Sequence, residues 1–476
     1  MQGTAKEIAK QFTASLEKAG ARCDFRCSQY KSLVHPTQNL LDLSGSLDCL
    51  RQKKIKAYHG ELTWSGDLDA MRMDKKMKDN SVTAPKGFLA AGLASGVKVS
   101  GKHDLGLLVC PGGAIAAAMF TTNKITSAAV QVSREHIECR KTYAVVVNSG
   151  NANACTGKKG LANARAMCVR AANHLGVEPE EVLVASTGII GHQLPMEKVT
   201  AGIDQAAPLL SDSPQAGLAF AHAIMTTDTR CKQAYREVKL GRATVKIAGT
   251  VKGAGMIGPN MATTLLFITT DAAIGKSILG KSLAEAIGGS LNRLTVDGHQ
   301  STNDTAILLA SGMAENEWIT GLSANCRKFQ TALTDLCTDL VHQMALDAEG
   351  ATRMFQVVVK GAGTKAEATQ AARAVADYPL FKCAVHGGDP NWGRIICAVG
   401  SSGVKLDPDK VSCKLDGLFV FRNGAPTDFN VKQASRIISQ RQFIITVDLG
   451  VGRHSDFYYG CDLSAEYVRI NADYHT

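Results

Sequence analysis

Apolar and polar positions along this chain follow two periods, and each predicts a different kind of element. Ala144, Val145, Val146 and Val147 form an unbroken apolar run that predicts a buried strand. It ends in Asn148-Ser149-Gly150-Asn151-Ala152-Asn153, a string of turn-forming residues, after which a helical pattern runs to about Leu175. Val182 to Ala185 predicts another short strand, stopped by Ser186-Thr187-Gly188, residues suited to a tight turn with exposed backbone N–H groups. Farther on, Phe329, Leu333, Leu336, Leu340 and Met344 recur at steps of three and four, which predicts a helix with one face in a core. Thr244 to Ala248, Met354 to Val359 and Arg441 to Leu449 read as strands. Strand and helix patterns interleave from Val82 onward, so the chain reads as a mixed α/β protein with strands sandwiched by helices.

A length of 476 residues predicts two or three compact units. Residues 1 to 80 differ in texture, with 14 Lys/Arg against 10 Asp/Glu and few apolar runs, and read as an appendage. Glu7, Glu17 and Asp24 argue against a basic, acid-poor transit peptide there. The net charge of +10 is spread without a Lys/Arg run, and aromatic residues make up only 5%, so no nucleic-acid surface is expected. Fourteen cysteines contain no Cys-x-x-Cys pair, Cys23 and Cys27 coming closest; free thiols in a reducing compartment are expected, without metal or disulfide framework. No apolar run reaches the roughly 18 to 20 residues of a bilayer span, which predicts no membrane association. An intracellular location follows: cytoplasmic in a bacterium, mitochondrial matrix or plastid in a eukaryote.

The most informative stretch is Val251-Lys252-Gly253-Ala254-Gly255-Met256-Ile257-Gly258-Pro259-Asn260-Met261-Ala262-Thr263-Thr264, followed by the apolar run Leu265 to Ile268. Its glycines fit the G-x-G-x-x-G of a dinucleotide-binding turn, which needs a helix after the third glycine. Pro259 and the β-branched and aromatic residues beyond it predict a strand instead, so that reading fails on context. A strand that opens with threonine after a glycine loop suits another chemistry. If the peptide before the threonine is broken, its hydroxyl lies beside its own α-amine, which with a reference pKa of about 7.7–8.0 can act as the base that a threonine nucleophile needs. No Gly-x-Ser-x-Gly elbow competes for the role. On these residues alone, a plain surface loop that starts a strand stays open as the alternative.

Taken with blocks elsewhere, the stretch resembles the ornithine acetyltransferase family, the bifunctional glutamate N-acetyltransferases of arginine biosynthesis, whose hallmark is Lys-Gly-x-Gly-Met-Ile-x-Pro-Asn-Met-Ala-Thr. The resemblance runs from Val82-Thr83-Ala84-Pro85-Lys86-Gly87-Phe88 through Phe120-Thr121-Thr122-Asn123 and the Asn148 to Asn153 string to Arg469-Ile470-Asn471-Ala472-Asp473-Tyr474. It implies a layered α/β/β/α sandwich, of the type also found in N-terminal-nucleophile aminopeptidases. It implies self-cleavage at Ala262-Thr263 into an α chain, 82–262, and a β chain, 263–476, after an N-terminal extension, 1–81, with two α and two β chains assembling as a heterotetramer. Thr263 would carry acetyl from N2-acetyl-L-ornithine to L-glutamate, with no cofactor and with acetyl-CoA as an additional donor in some members.

By the same resemblance, Thr187 through its hydroxyl and Gly188 through its N–H would form the oxyanion element. Thr226, Lys252, Thr263, Glu349, Asn471 and Thr476 would contact substrate, Lys252 meeting a carboxylate and Glu349 an amine. Read singly, each is a surface charge or a turn residue. His386-Gly387-Gly388 and Asp389-Pro390-Asn391-Trp392-Gly393-Arg394 read as structural, and His299 and His386 as bystanders. The chain departs from the family pattern at Gly258, where His or Ala is common, at Thr264, where Met is usual, and at His299-Gln300, where Asp-Thr usually precedes Ser301-Thr302-Asn303-Asp304. Thr264 also offers a second threonine one bond later. The rival readings are an N-terminal-nucleophile aminopeptidase or amidohydrolase, passing its acyl group to water, and a non-catalytic relative that stays one chain.

Overall fold

The computed structural model describes residues 80–258 and 264–473, all within one compact unit, Asp69–Thr476. The expected extension, 1–81, lies outside the described residues except for Asn80 and the buried Ser81. The first sheet comprises β1 (Leu89–Leu93), β2 (Leu105–Phe120), β3 (Thr142–Asn151), β4 (Val182–Ile189), β5 (Lys232–Leu240), β6 (Ala243–Lys252), β7 (Leu265–Thr270) and β8 (Thr305–Ala310). Its order is β4-β3-β2-β8-β7-β6-β5, with β1 also paired to β2.

The long β2 is the hinge of this sheet. Its first half pairs with β1 and β3 and its second half with β8, and between them Pro111-Gly112-Gly113 interrupts the register, with Gly113 at φ +70. Proline cannot donate to the ladder and an extra residue bends a strand, so the sheet turns back over itself here. Alternate side chains then separate into layers, as a two-residue period demands. Leu108, Val145, Val147 and Leu183 face Leu265, Phe267, Ile307 and Leu309 in an inner core. Leu107, Val109, Val146 and Val184 point the other way, under α1 (Ala128–His136), α2 (Gly157–Leu175) and α3 (Met196–Ala206). Helix α4 (Pro214–Ala223) sends Phe220 into the inner core, edge-on to Phe267 at 5.3 Å. Leu266, Ile268 and Leu308 lie under α5 (Lys276–Gly289) and α6 (Ala324–Ala345), where the Phe329 to Met344 stripe is fully buried. This is the expected α/β/β/α sandwich.

Two predicted turns are strand instead. β3 continues through Asn151 and β4 through Ile189, with Asn148 opposite Ser186, Ser149 opposite Thr187 and Gly150 opposite Gly188 in parallel register. The polar side chains tolerate burial because they bond one another: Ser186 Oγ donates to Asn148 Oδ1 at 2.6 Å and Asn148 Nδ2 to Asn151 O at 2.9 Å. Pairing across the sheet overrides the local turn signal.

A second sheet follows the sandwich, and of its strands the sequence reading has only those at Met354 to Val359 and Arg441 to Leu449. It contains β9 (Met354–Ala362), β10 (Ser412–Leu415), β11 (Leu418–Arg422), β12 (Ala425–Pro426), β13 (Gln442–Asp448) and β14 (His454–Cys461), in the order β12-β11-β10-β13-β9-β14. Its core joins Val357, Val359, Ile445 and Val447 to α7 (Lys365–Asp377), α8 (Pro379–Gly387), α9 (Trp392–Gly400) and α10 (Val431–Ile438). The 389–394 block serves this lobe, with Asn391 Oδ1 capping α9 and Trp392 stacked on Phe421 at 5.2 Å. A final helix, α11 (Ala465–Asp473), returns toward the first sheet.

Candidate functional site

β6 and β7 are antiparallel neighbours whose last pair is Lys252 with Leu265, so residues 253–264 link two adjacent strand ends. Ala262 and Thr263 fall within 259–263, outside the described residues, and so does Thr476. The described residues are the supports on either side. Gly253 N donates to Asp228 Oδ1 at 2.8 Å, Met256 N to Asp297 Oδ2 at 2.7 Å, and Ala254 O accepts from Glu349 N at 2.9 Å. These bonds hold Met256 at φ +54, a region that a side chain seldom adopts. A Cβ on Gly255 would lie 2.2 Å from Glu349 Oε2, so the carboxylate rests directly on the glycine backbone. Asn471 Nδ2, from α11, donates to that same oxygen at 2.8 Å.

At the other end, Thr264 is gripped by two consecutive residues that lead into β8. Its N–H donates to Asp304 Oδ1 at 3.1 Å and its carbonyl accepts from Thr305 N at 2.9 Å. The preceding Asn303 donates from Nδ2 to Ser186 O and Ala152 O, both at 2.7 Å. Residues 303–304 therefore connect the end of β4, which carries buried Thr187 and half-buried Gly188, to the residue after Thr263. Gly188, at φ +133, leaves 2.3 Å between an added Cβ and Gly150 C, so only glycine fits.

A third support is ionic. Lys232, fully buried at the start of β5, reaches Asp228 Oδ1 at 2.5 Å and Asp347 Oδ2 at 2.6 Å. Asp228 Oδ2 accepts from Thr226 N at 3.0 Å, and Asp347 lies two residues before Glu349. One ammonium thus ties the Thr226 segment, the glycine turn and the Glu349 loop together. His386 Nδ1 contacts Asp462 Oδ2 at 2.8 Å, and Asp462 in turn accepts from Thr352 and Arg353. His299 is largely exposed beside Asp297. Neither histidine contacts the expected site residues that are described.

Lys252 is only 2% exposed, and burial pushes its ammonium down while Asp228, Asp304 and Glu349 act in the opposite direction. Burial raises Asp228 too, but the charges of Lys232 and Lys252 outweigh it and hold that carboxyl below its ordinary value. Asp304 goes the other way: burial lifts it well above the carboxylate range, against the Thr264 amide and Lys252. Lys98 is brought down to about 8 by burial, its Nζ donating to Met225 O at 2.7 Å, one residue before Thr226. The site thus pairs an acid and an amine, each biased toward its uncharged form, around one strand end.

Of the expected site residues, Thr226, Lys252, Glu349 and Asn471 adjoin this turn, and Thr187 and Gly188 lie at the end of β4, where Asn303 bonds Ser186 O. The sequence reading missed Asp228, Lys232, Asn303, Asp304 and Asp347. Asn303 and Asp304 stood inside a quoted block, whereas nothing local distinguishes Lys232 from a surface lysine. Among the described residues, no cluster of three or more His, Cys, Asp or Glu could hold a metal ion, and no helix is long and apolar enough to cross a membrane.

A four-layer α/β/β/α sandwich, with a strand where a dinucleotide site needs a helix, places this chain in the α/β/β/α class rather than among dinucleotide-binding modules. The ArgJ family model matches residues 89–476. The protein is 46% identical over 397 residues to the arginine biosynthesis bifunctional protein ArgJ of Symbiobacterium thermophilum, covering 83% of this chain and 98% of that one. With the protein of the same name from Dehalococcoides mccartyi it is 44% identical over 402 residues, 84% and 98% of the two chains. Among solved structures, argJ from Bacillus halodurans is 38% identical and aligns with a TM-score of 0.42 over 43% of this chain and 97% of that chain. The chain belongs to the ArgJ family.

Proposed function

We propose that the protein cuts its own chain between Ala262 and Thr263 and then moves acetyl from N2-acetyl-L-ornithine to L-glutamate through an acetyl ester on Thr263. It acts in arginine biosynthesis, the role in its relatives' printed name, and there as an acyltransferase. The observation that carries the residue assignment is the convergence on one glycine turn of Lys252, the Glu349–Asn471 pair and the bond from Thr264 N to Asp304.

In this reading the free α-amine of Thr263 takes the proton of its own hydroxyl as the oxygen attacks the acetyl carbonyl. Thr187 Oγ1 and Gly188 N–H donate to the oxyanion; one such donor typically contributes about 2.7–4 kcal/mol. Ornithine leaves, glutamate enters the same pocket and its amine takes the acetyl group, a ping-pong sequence. Lys252 meets the α-carboxylate common to both amino acids, Glu349 with Asn471 meets an amine, and Thr226 and Thr476 complete the contacts. The cut falls between two paired strands, and the ladder from Ile247–Thr270 to Lys252–Leu265 would keep the α chain, 82–262, and the β chain, 263–476, in one sheet. Two of each assemble as a heterotetramer. No cofactor is needed, and acetyl-CoA is an additional donor. The compartment follows the host: cytoplasm in a bacterium, mitochondrial matrix or plastid in a eukaryote.

Intact mass spectrometry before and after addition of N2-acetyl-L-ornithine tests this reading. Two fragments are expected, the second starting at Thr263 and gaining one acetyl group that glutamate removes. An active but uncut chain, or full turnover by Thr263→Ala, would refute it. Acetyl released equally fast without glutamate would make the protein the amidohydrolase that the fold also accommodates.

A further inference from the structure

Lys98 lies in the connection between β1 and β2, and its place there is fixed by the buried Asp104 at the end of that connection. Asp104 Oδ1 accepts from Ser95 N at 2.6 Å and Ser95 Oγ at 2.8 Å, and Oδ2 accepts from Lys98 N at 2.8 Å. The carboxylate is thus engaged by the loop backbone, and the Lys98 ammonium bonds two neutral carbonyls instead, His103 O at 2.6 Å and Met225 O at 2.7 Å. Its stem crosses the end of the first sheet: a Cβ on Gly150, the register partner of Gly188, would lie 2.8 Å from Lys98 Cγ. Beside it, Ser149 Oγ donates to Ala223 O at 2.5 Å. The segment that leaves α4 is therefore fastened to the β3–β4 end twice, at Ala223 by a hydroxyl and at Met225 by an ammonium. Thr226 follows directly, and its N–H turns to Asp228, which also holds Gly253 N.

We propose that Lys98 is a positioning residue for substrate binding, its ammonium clamping Met225 O so that Thr226 keeps a fixed place relative to the strand end that carries Thr187 and Gly188. This rests on the function proposed above, in which Thr226 contacts substrate. The clamp needs a cation. A charge-assisted bond is roughly twice as strong as a neutral one, and an ammonium has three donors, so one side chain can hold carbonyls from two segments far apart in sequence. Without it the Thr226 segment keeps the Ser149 bond behind it and the Asp228 bond ahead, and the carbonyl between them loses its charged donor. Burial brings the ammonium down to about 8, with Asp104 and Asp228 pulling it up and Lys102 and Lys252 adding to the fall. The charged form, present below about pH 8, holds the segment, and loss of the proton above that pH weakens the hold.

The test uses the full chain with Lys98→Met and Lys98→Arg, with steady-state kinetics for N2-acetyl-L-ornithine and L-glutamate and thermal melting as the check on folding. Methionine keeps a stem over Gly150 and loses the donors, whereas arginine keeps donors and stays charged throughout the working pH range. Lys98→Met is expected to raise KM for both amino acids about 10-fold with a smaller change in kcat, because Thr226 would hold substrate alike in ground and transition states. Lys98→Arg is expected to recover most of that loss. In the wild type KM should climb as pH rises through about 8, and in Lys98→Arg that climb should be absent. The charged and titratable groups facing Lys98 are Lys102, His103 and Asp104 from its own connection, His222 from α4, Asp228 beyond Thr226 and Lys252 from β6. All of them are present in both chains, so the difference between the two profiles isolates Lys98. A folded Lys98→Met chain whose KM stays within twofold of wild type for both substrates overturns the inference and leaves the transferase standing; a lysine that only stabilises the fold gives that result with a lowered melting temperature. Should Lys98→Met not fold, a KM in Lys98→Arg that climbs above about pH 8 as in wild type overturns the inference. A wild-type chain that moves no acetyl to glutamate overturns the proposed function and this inference with it.

Discussion

Replacing Gly255 with alanine isolates the contribution of one carboxylate's position. The added Cβ would lie 2.2 Å from Glu349 Oε2, 2.4 Å from its Cδ and 2.5 Å from Oε1, whereas ordinary contact begins near 3.4 Å. The backbone of Gly255 is not in the left-handed region, so alanine itself is tolerated there, and the obstacle is the end of a side chain. Glu349 must therefore retreat by about 1 Å, which breaks its 2.8 Å bond to Asn471 Nδ2 and, on the proposed assignment, moves it off the substrate amine. Hydrogen bonds to charged groups contribute about 1.5–3 kcal/mol, equivalent to roughly 10- to 150-fold in kcat/KM for N2-acetyl-L-ornithine. The loss should fall mainly on KM, because the amine is bound alike in ground and transition states. The melting temperature should change little, since Glu349 N and Ala254 O keep their backbone bond. A Gly255→Ala enzyme with kcat/KM within twofold of wild type would show that the carboxylate does not bind substrate from this position.

Two further outcomes concern the ionic support. Lys232→Met leaves Asp228 and Asp347 buried without their shared cation and should cost about 3–5 kcal/mol in denaturant unfolding; a loss under about 1 kcal/mol would mean that the carboxylates reach water. Asp228 has a folded pKa below its unfolded value of about 3.9, so it adds stability above that pH and the contribution disappears as pH falls through the folded value. The urea midpoint should therefore drop on acidification below about pH 4, and less steeply in Asp228→Asn; equal slopes would contradict the assignment.

What could be read from the sequence was what depends on neighbours along the chain. The buried runs at Val145–Val147, Val182–Ala185 and Met354–Val359 are strands, and the stripe from Phe329 to Met344 is a helix face, because period alone identifies a side packed against a core. The dinucleotide turn was excluded correctly, since Leu265 begins a strand. What depends on distant partners was hidden. Asn148 and Ser186 look like turn residues until Asn303, more than a hundred positions away, supplies Ser186 O with a donor. Lys232 and Asp304 look like ordinary charges because their burial is decided by how β5 and β8 meet the rest of the fold. Lys252, Glu349 and Asn471 were found through the family blocks, and their residue types alone would not have separated them from the surface.

The three departures from the family pattern are not alike in kind. A Cβ on Gly258 would stand 2.6 Å from Gly298 C and 2.7 Å from His299 O, so the missing side chain at 258 and the altered pair at 299–300 face one another. They amount to a single exchange, side-chain volume given up for close backbone approach. That exchange is confined to the flank of the turn nearest Asp297, which still holds Met256 N and Tyr467 OH. Gln300 Nε2 donates to Thr122 Oγ1 at 2.6 Å. Thr264 cannot be explained in this way. A methionine there would bury only apolar atoms, whereas the threonine hydroxyl is buried without a partner, at a cost of about 1–3 kcal/mol. The hydroxyl belongs to the same residue whose amide Asp304 holds. Thr264 is therefore the departure that the exchange at 258 and 299–300 does not account for.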